Sequence, residues 1–103
     1  LWAETDTGVV LGSDSIGELR KTSERVAREA ARGLLEEIDA RATVDIHMAD
    51  MLIPYVALAK GKSIYLARMI TDHMESNMWL ANEILGVEFS VEKTNGLFKI
   101  EKK

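Results

Sequence analysis

The stretch Ile46–Lys60, "IHMADMLIPYVALAK", constrains the fold more than any other part of the chain. At helical spacing it is apolar nearly all round, and such a helix needs cover from other elements. With 103 residues, enough for one domain, few elements are available to supply that cover. Asp45 stands where an N-cap is wanted, and Gly61 follows the end. Pro54 lies inside the run and has no N–H to give, so a kink or break is predicted there.

The flanking segments show what supplies the cover. From Thr22 to Arg41, Val26, Ala30, Leu34 and Ile38 recur at four-residue spacing, with Ala27, Ala31 and Leu35 beside them. Arg25, Arg28, Glu29, Arg32 and Glu36 occupy the other side, so this is an amphipathic surface helix. A third helix is predicted over Asp72–Leu85, stopped by Gly86. Short strands are predicted at "LWAET", "GVVLGS", "KSIYLARMI", "VEFSVEK" and "LFKIEKK". The last two flank Asn95-Gly96, a strong hairpin signal. This order implies an α+β fold, with helices packed on one face of a mixed sheet.

Composition excludes several classes. There is no cysteine, hence neither a disulfide framework nor a cysteine-based zinc site. No apolar run is long enough to span a bilayer, and no secretory pattern is visible. The expected setting is reducing and cytoplasmic, without a membrane partner. The net charge of −4 is unlike a free-standing nucleic-acid module, so any basic contact surface is expected elsewhere. The chain opens at Leu1 in a strand-like segment without an initiator methionine, as expected of a piece of a longer protein or of a trimmed end.

The chain has two histidines. Asp72 is read as the N-cap of the third helix, with Glu75 completing a capping box, which puts His73 in the first turn. The positive helix end disfavours imidazolium, and its free N–H groups suit a phosphate. A neutral imidazole beside an anion site is what attack on phosphorus requires. Asp72 and Glu75 oppose this by favouring the protonated ring. Asn77, one turn on, is placed to orient the other ring nitrogen. The competing reading is a plain surface histidine. His47 and Asp50, three apart on the apolar helix, share a face. They face a cleft together, form a local pair or cap, or supply two of the ligands a metal would need. The methionines and Trp79 read as packing residues rather than as a base-stacking platform. "GVVLGSDSIG" lacks the Gly-Lys-Ser/Thr end of a phosphate-binding loop.

Taken together, "VDIHMADMLIPYVALAKG", "ITDHMESNMWLANEILGVEF" and "GVVLGSDSIGELRKTSERVAREAARGLLEEI" resemble the C-terminal part of the RNA 3′-terminal phosphate cyclase family, in an archaeal flavour. The resemblance implies a repeat in which two helices pack on a mostly four-stranded mixed sheet, here a single domain over residues 1–103. It implies conversion of an RNA 3′-phosphate to a 2′,3′-cyclic phosphate, with ATP and magnesium or manganese. His73 matches the histidine that becomes covalently adenylylated. Asp50 matches an aspartate near that histidine, and His47 a position that is commonly tyrosine near the nucleotide. Together with Asn77 these residues form the expected cofactor-binding set, with no metal ligand among them. Asp72 departs from the small or neutral residue expected before the histidine. The residues that grip ATP phosphates, metal and RNA are expected upstream, so the fragment is expected to be inactive alone and to self-associate through uncovered faces. The alternatives are a non-catalytic cyclase-like scaffold of ribosome assembly and a plain interaction module.

Overall fold

The computed structural model describes all residues, Leu1–Lys103. The chain runs β1 (Trp2–Glu4), β2 (Val10–Gly12), α1 (Ser23–Ala40), α2 (Ile46–Leu58), β3 (Ser63–Ala67), α3 (Asp72–Leu85), β4 (Phe89–Thr94) and β5 (Leu97–Lys102). The fold is α+β, and every expected element is present in the expected order.

The start of α2 is fixed twice by Asp45. Its Oδ1 accepts from Met48 N at 2.8 Å as the N-cap, and its Oδ2 accepts from Gly12 N at 2.8 Å, tying β2 to the helix. Ala49, Ile53 and Ala57 recur every four residues along the buried side of α2. Ala49 and Ile53 meet Tyr65, Ala67 and Ile100 of the sheet and Met74 of α3 in one core. Of the kink or break expected at Pro54, the break does not occur: α2 runs through it. Its ring sits on the exposed side, and the missing N–H leaves the Asp50 carbonyl without its helical donor. Nor is α2 buried all round: Met51, Tyr55 and Leu58 are 62%, 71% and 70% exposed. The reason is that α1 packs mainly with β2, while α2 is covered on one side by the sheet and α3.

The main sheet has the order β3-β5-β4, and both pairings are antiparallel, with Tyr65, Ile100 and Val91 in register. It is therefore smaller than the four-stranded mixed sheet the resemblance implied. β1 and β2 pair with each other as a separate two-stranded sheet. The outer edge of β3 is met at Leu66 by Thr43, whose N–H donates to the Leu66 carbonyl at 3.0 Å and whose Oγ1 accepts from Leu66 N at 2.8 Å. A contact at one residue closes that edge locally without adding a strand. The sheet face away from the helices carries the ion pairs Lys62–Glu101 at 2.9 Å and Lys99–Glu92 at 3.4 Å.

Two carboxylates of α1 anchor the surrounding chain. Glu37, 2% exposed, accepts at Oε1 from Ile46 N at 3.1 Å and from Arg68 Nη2 at 3.3 Å, joining the ends of α1 and β3 to the start of α2. Glu29 receives Lys21 Nζ at 2.6 Å, the Ser15 hydroxyl at 2.8 Å and Arg25 Nε at 3.2 Å, pinning the loop before α1. The Lys21 and Ser15 hydrogen bonds hold its carboxyl at about 2, below the usual 4.5. A depressed carboxylate contributes stability that is full above the unfolded value and is lost as pH falls towards the folded value. Glu29→Gln is therefore expected to flatten the stability curve between pH 4.5 and about 2, as followed by urea denaturation at stepped pH. An unchanged acid limb would show that Glu29 is not coupled to folding.

Candidate functional site

The first turn of α3 is set by Thr71, not Asp72. The Thr71 Oγ1 accepts from Met74 N at 3.1 Å, and its carbonyl accepts from Glu75 N at 3.1 Å. Asp72 becomes the first helical residue, and Glu75 falls one place beyond the capping-box position. Met74, whose amide receives this cap, is fully buried in the core. Two consequences follow for His73. It occupies the second helical position, and the backbone N–H groups of Asp72 and His73 have no partner within the chain. Its side chain is exposed, makes no hydrogen bond to the protein and lines none of the five principal surface concavities.

The expected partnerships around His73 are rearranged. Asn77 lies one turn on along the same stripe of α3, but its Nδ2 donates to Asp50 Oδ1 at 3.1 Å instead of turning to the imidazole. Asp50 therefore reaches across to α3, not along α2 to His47. The His47 Nε2 lies 3.7 Å from Asp14 Oδ1, at a shallow depression of about 310 Å³ that includes Ser13 and Asp45. Asp50 and Asn77 are thus brought together, His73 stands one turn from them, and His47 turns towards the β2 end.

Two residues beside this cluster were not singled out by sequence, and a third was read as packing. Thr71 is one, hidden by the adjacent Asp72. Tyr65 is another: its hydroxyl donates to the Ala49 carbonyl at 2.8 Å, under the residue that precedes Asp50. Burial, reinforced by the charge of Asp50, pushes the Tyr65 phenol well above its ordinary value of 10.0. Its alternation on β3 marks it as inward-facing, but its partner on α2 has no sequence signal. Trp79 is the third. It is 65% exposed and lines two concavities beside α3, so it does not pack as expected. Below Asn77, an apolar groove of about 290 Å³ runs between α2 and α3, lined by Pro54, Leu58, Leu80 and Ile84.

No three His, Cys, Asp or Glu side chains form a group that could hold a metal ion. For a phosphoryl group, the side chain of His73 and the two free amides at the start of α3 are the available contacts. No helix is long and apolar enough to cross a membrane.

Residues 9–91 match the family described as RNA 3′-terminal phosphate cyclase. This chain belongs to that family. The protein named RNA 3′-terminal phosphate cyclase in Pyrobaculum aerophilum is 43% identical over 101 residues, covering 98% of this chain and 29% of the relative. That of Korarchaeum cryptofilum is 47% identical over 92 residues, 89% of this chain and 26% of the relative. That of Methanosarcina acetivorans is 39% identical over 101 residues, 93% of this chain and 28% of the relative. The cyclase-family chain thus spans less than a third of the length of these curated relatives.

Tyr65 offers a direct check on the geometry beneath Asp50, since it is expected to stay neutral until the fold opens. Because the folded value is raised, the stabilisation is full below pH 10 and is lost as pH rises beyond it. Absorbance titrations of the native chain and of Tyr65→Phe should coincide until unfolding. Phenolate absorbance lost in Tyr65→Phe below the unfolding transition would contradict the buried hydrogen bond.

Proposed function

We propose that this chain is the catalytic-histidine part of a longer RNA 3′-terminal phosphate cyclase. The observation that carries this reading is the position of His73: an unobstructed imidazole at the open end of α3, within a chain that matches the family over residues 9–91. In the proposed reaction a nitrogen of the neutral imidazole attacks the α-phosphorus of ATP. The N–P bond forms, the bond to pyrophosphate breaks, and the ring proton is lost. An oxygen of the RNA 3′-phosphate then attacks the same phosphorus and breaks the N–P bond, returning His73 to its starting state. The neighbouring 2′-hydroxyl attacks the activated 3′-phosphorus, closes the 2′,3′-cyclic phosphate and releases AMP. The unpaired amides of Asp72 and His73 face the charge that develops on phosphoryl oxygens.

His47 and Asp50 are the polar groups we assign to the nucleotide side of this site, with Asn77 behind Asp50, to which it is bonded. Magnesium or manganese finds no complete ligand set in this chain, so its ligands belong to the remainder of the enzyme, as do the groups that grip ATP phosphates and RNA. No step is assigned to the metal here. The alternative of a non-catalytic scaffold gives no reason for an unpartnered histidine at this position. Incubating full-length cyclase with α-labelled ATP should leave acid-labile, base-stable label that is absent from His73→Ala and His73→Asn, and absent from the 103-residue chain alone. Label that persists in both variants would remove His73 from the mechanism. Label taken up by the isolated chain at the full-length rate would remove the proposed division of labour.

The two faces of the fold support a missing neighbour. The free side of the sheet carries ion pairs around Ile64 and Leu66, whereas the free side of α2 and α3 exposes Met51, Tyr55, Leu58, Leu80 and Ile84. A patch of this kind marks an interaction surface. In the isolated chain it is expected to drive homo-oligomer formation, giving a mass by light scattering that rises with concentration. A monomer at all concentrations would contradict this.

A further inference from the structure

The seam between α2 and α3 is built largely from small or flexible apolar side chains. Ala49 and Ala57 on α2 and Ala81 on α3 are buried near it, with Met74 at its upper end. Ile53 and Met74, both fully buried, hold the core side of this seam, but the flexible thioether of Met74 leaves the fine roll of α3 loosely set. A directional bond does resist rotation. The bond from Asn77 Nδ2 to Asp50 Oδ1, 3.1 Å long and half-buried, crosses this seam. Pro54 adds to its weight on the α2 side, since it leaves the backbone carbonyl of Asp50 without a helical donor and makes this residue a local concentration of acceptors.

His73 lies four residues before Asn77, so both project from one stripe of α3. With side-chain atoms about 6 Å from the axis, a roll of about 10° displaces a ring atom by about 1 Å. A displacement of that size costs on the order of a hundredfold in a reaction that depends on alignment. We propose that Asn77 is a positioning residue for His73: through its bond to Asp50 it fixes the roll of α3, and with it the aim of the imidazole, without itself touching the nucleotide. The inference rests on the reading of His73 as the nucleophile.

The test is a double-variant cycle in full-length cyclase, following adenylyl transfer to the enzyme at varied ATP, with thermal melting of each variant. Asn77→Leu, close in volume but without a donor, is expected to lower the saturating rate by about tenfold or more while the half-saturating ATP concentration stays within about twofold. Asn77→Asp sets two carboxylates against each other and is expected to be slower still. Adding Asp50→Asn to it again places an amide opposite a carboxylate, and the saturating rate should recover above that of Asn77→Asp alone. The double variant keeps a donor and an acceptor across the seam, so it carries the test even where Asn77→Leu melts early. A higher half-saturating ATP concentration with an unchanged saturating rate in Asn77→Leu would make Asn77 a nucleotide contact and overturn the proposal. So would effects of Asp50→Asn and Asn77→Asp that simply multiply. Retention of label by His73→Ala is a separate result, which removes the nucleophile reading whatever the cycle gives.

Discussion

The structure depends on burying one side of α2. Ala49 and Ile53 are closed off by Tyr65, Ala67 and Ile100 below and by Met74 alongside. That contact gives the sheet its inner face and gives α3 its place. It also anchors the first turn of α3, where Met74 enters the core and its amide is capped by Thr71. The position of His73 follows from this anchoring, not from any packing contact that His73 itself makes.

Much of this was legible in the residues. The spacing of Ala30, Leu34 and Ile38, the Asn95-Gly96 hairpin and the Asp45 cap place α1, β4, β5 and α2 where the structure has them. What could not be read is how elements choose partners. Asp50 and His47 share a face of α2, but nothing local says that Asp50 bonds to Asn77 at a separation of 27 residues while His47 turns to Asp14. Sheet size was missed for the same reason. The strand character of β1 and β2 is real, yet these strands pair with each other and leave three strands in the main sheet. Thr71 and Asp72 are both competent caps, and nothing local separates them. Pro54 was read for its local steric effect, which the exposed side of the helix accommodates.

The division of polarity between the two faces then makes sense of the family match. A chain spanning less than a third of its relatives' length has a sheet face that carries ion pairs and an apolar helix face suited to a protein neighbour. His73 opens at the end of that helix layer, beside the bond that joins α2 to α3. Under the proposed function the incomplete donor set for metal and phosphate is expected, since a neighbour seated against the helices can bring those groups to the same end.

The central claim is that one imidazole carries the nucleotide, and peptide mapping tests it most directly. Trypsin cuts after Arg41, Lys60, Arg68 and Lys93, which separates the two histidines of this chain: His47 falls in Ala42–Lys60 and His73 in Met69–Lys93. After full-length cyclase has been incubated with ATP and digested under alkaline conditions, the mass of one adenylyl group is predicted on Met69–Lys93. Its appearance on Ala42–Lys60, or on neither peptide while the enzyme is demonstrably adenylylated, would contradict the account.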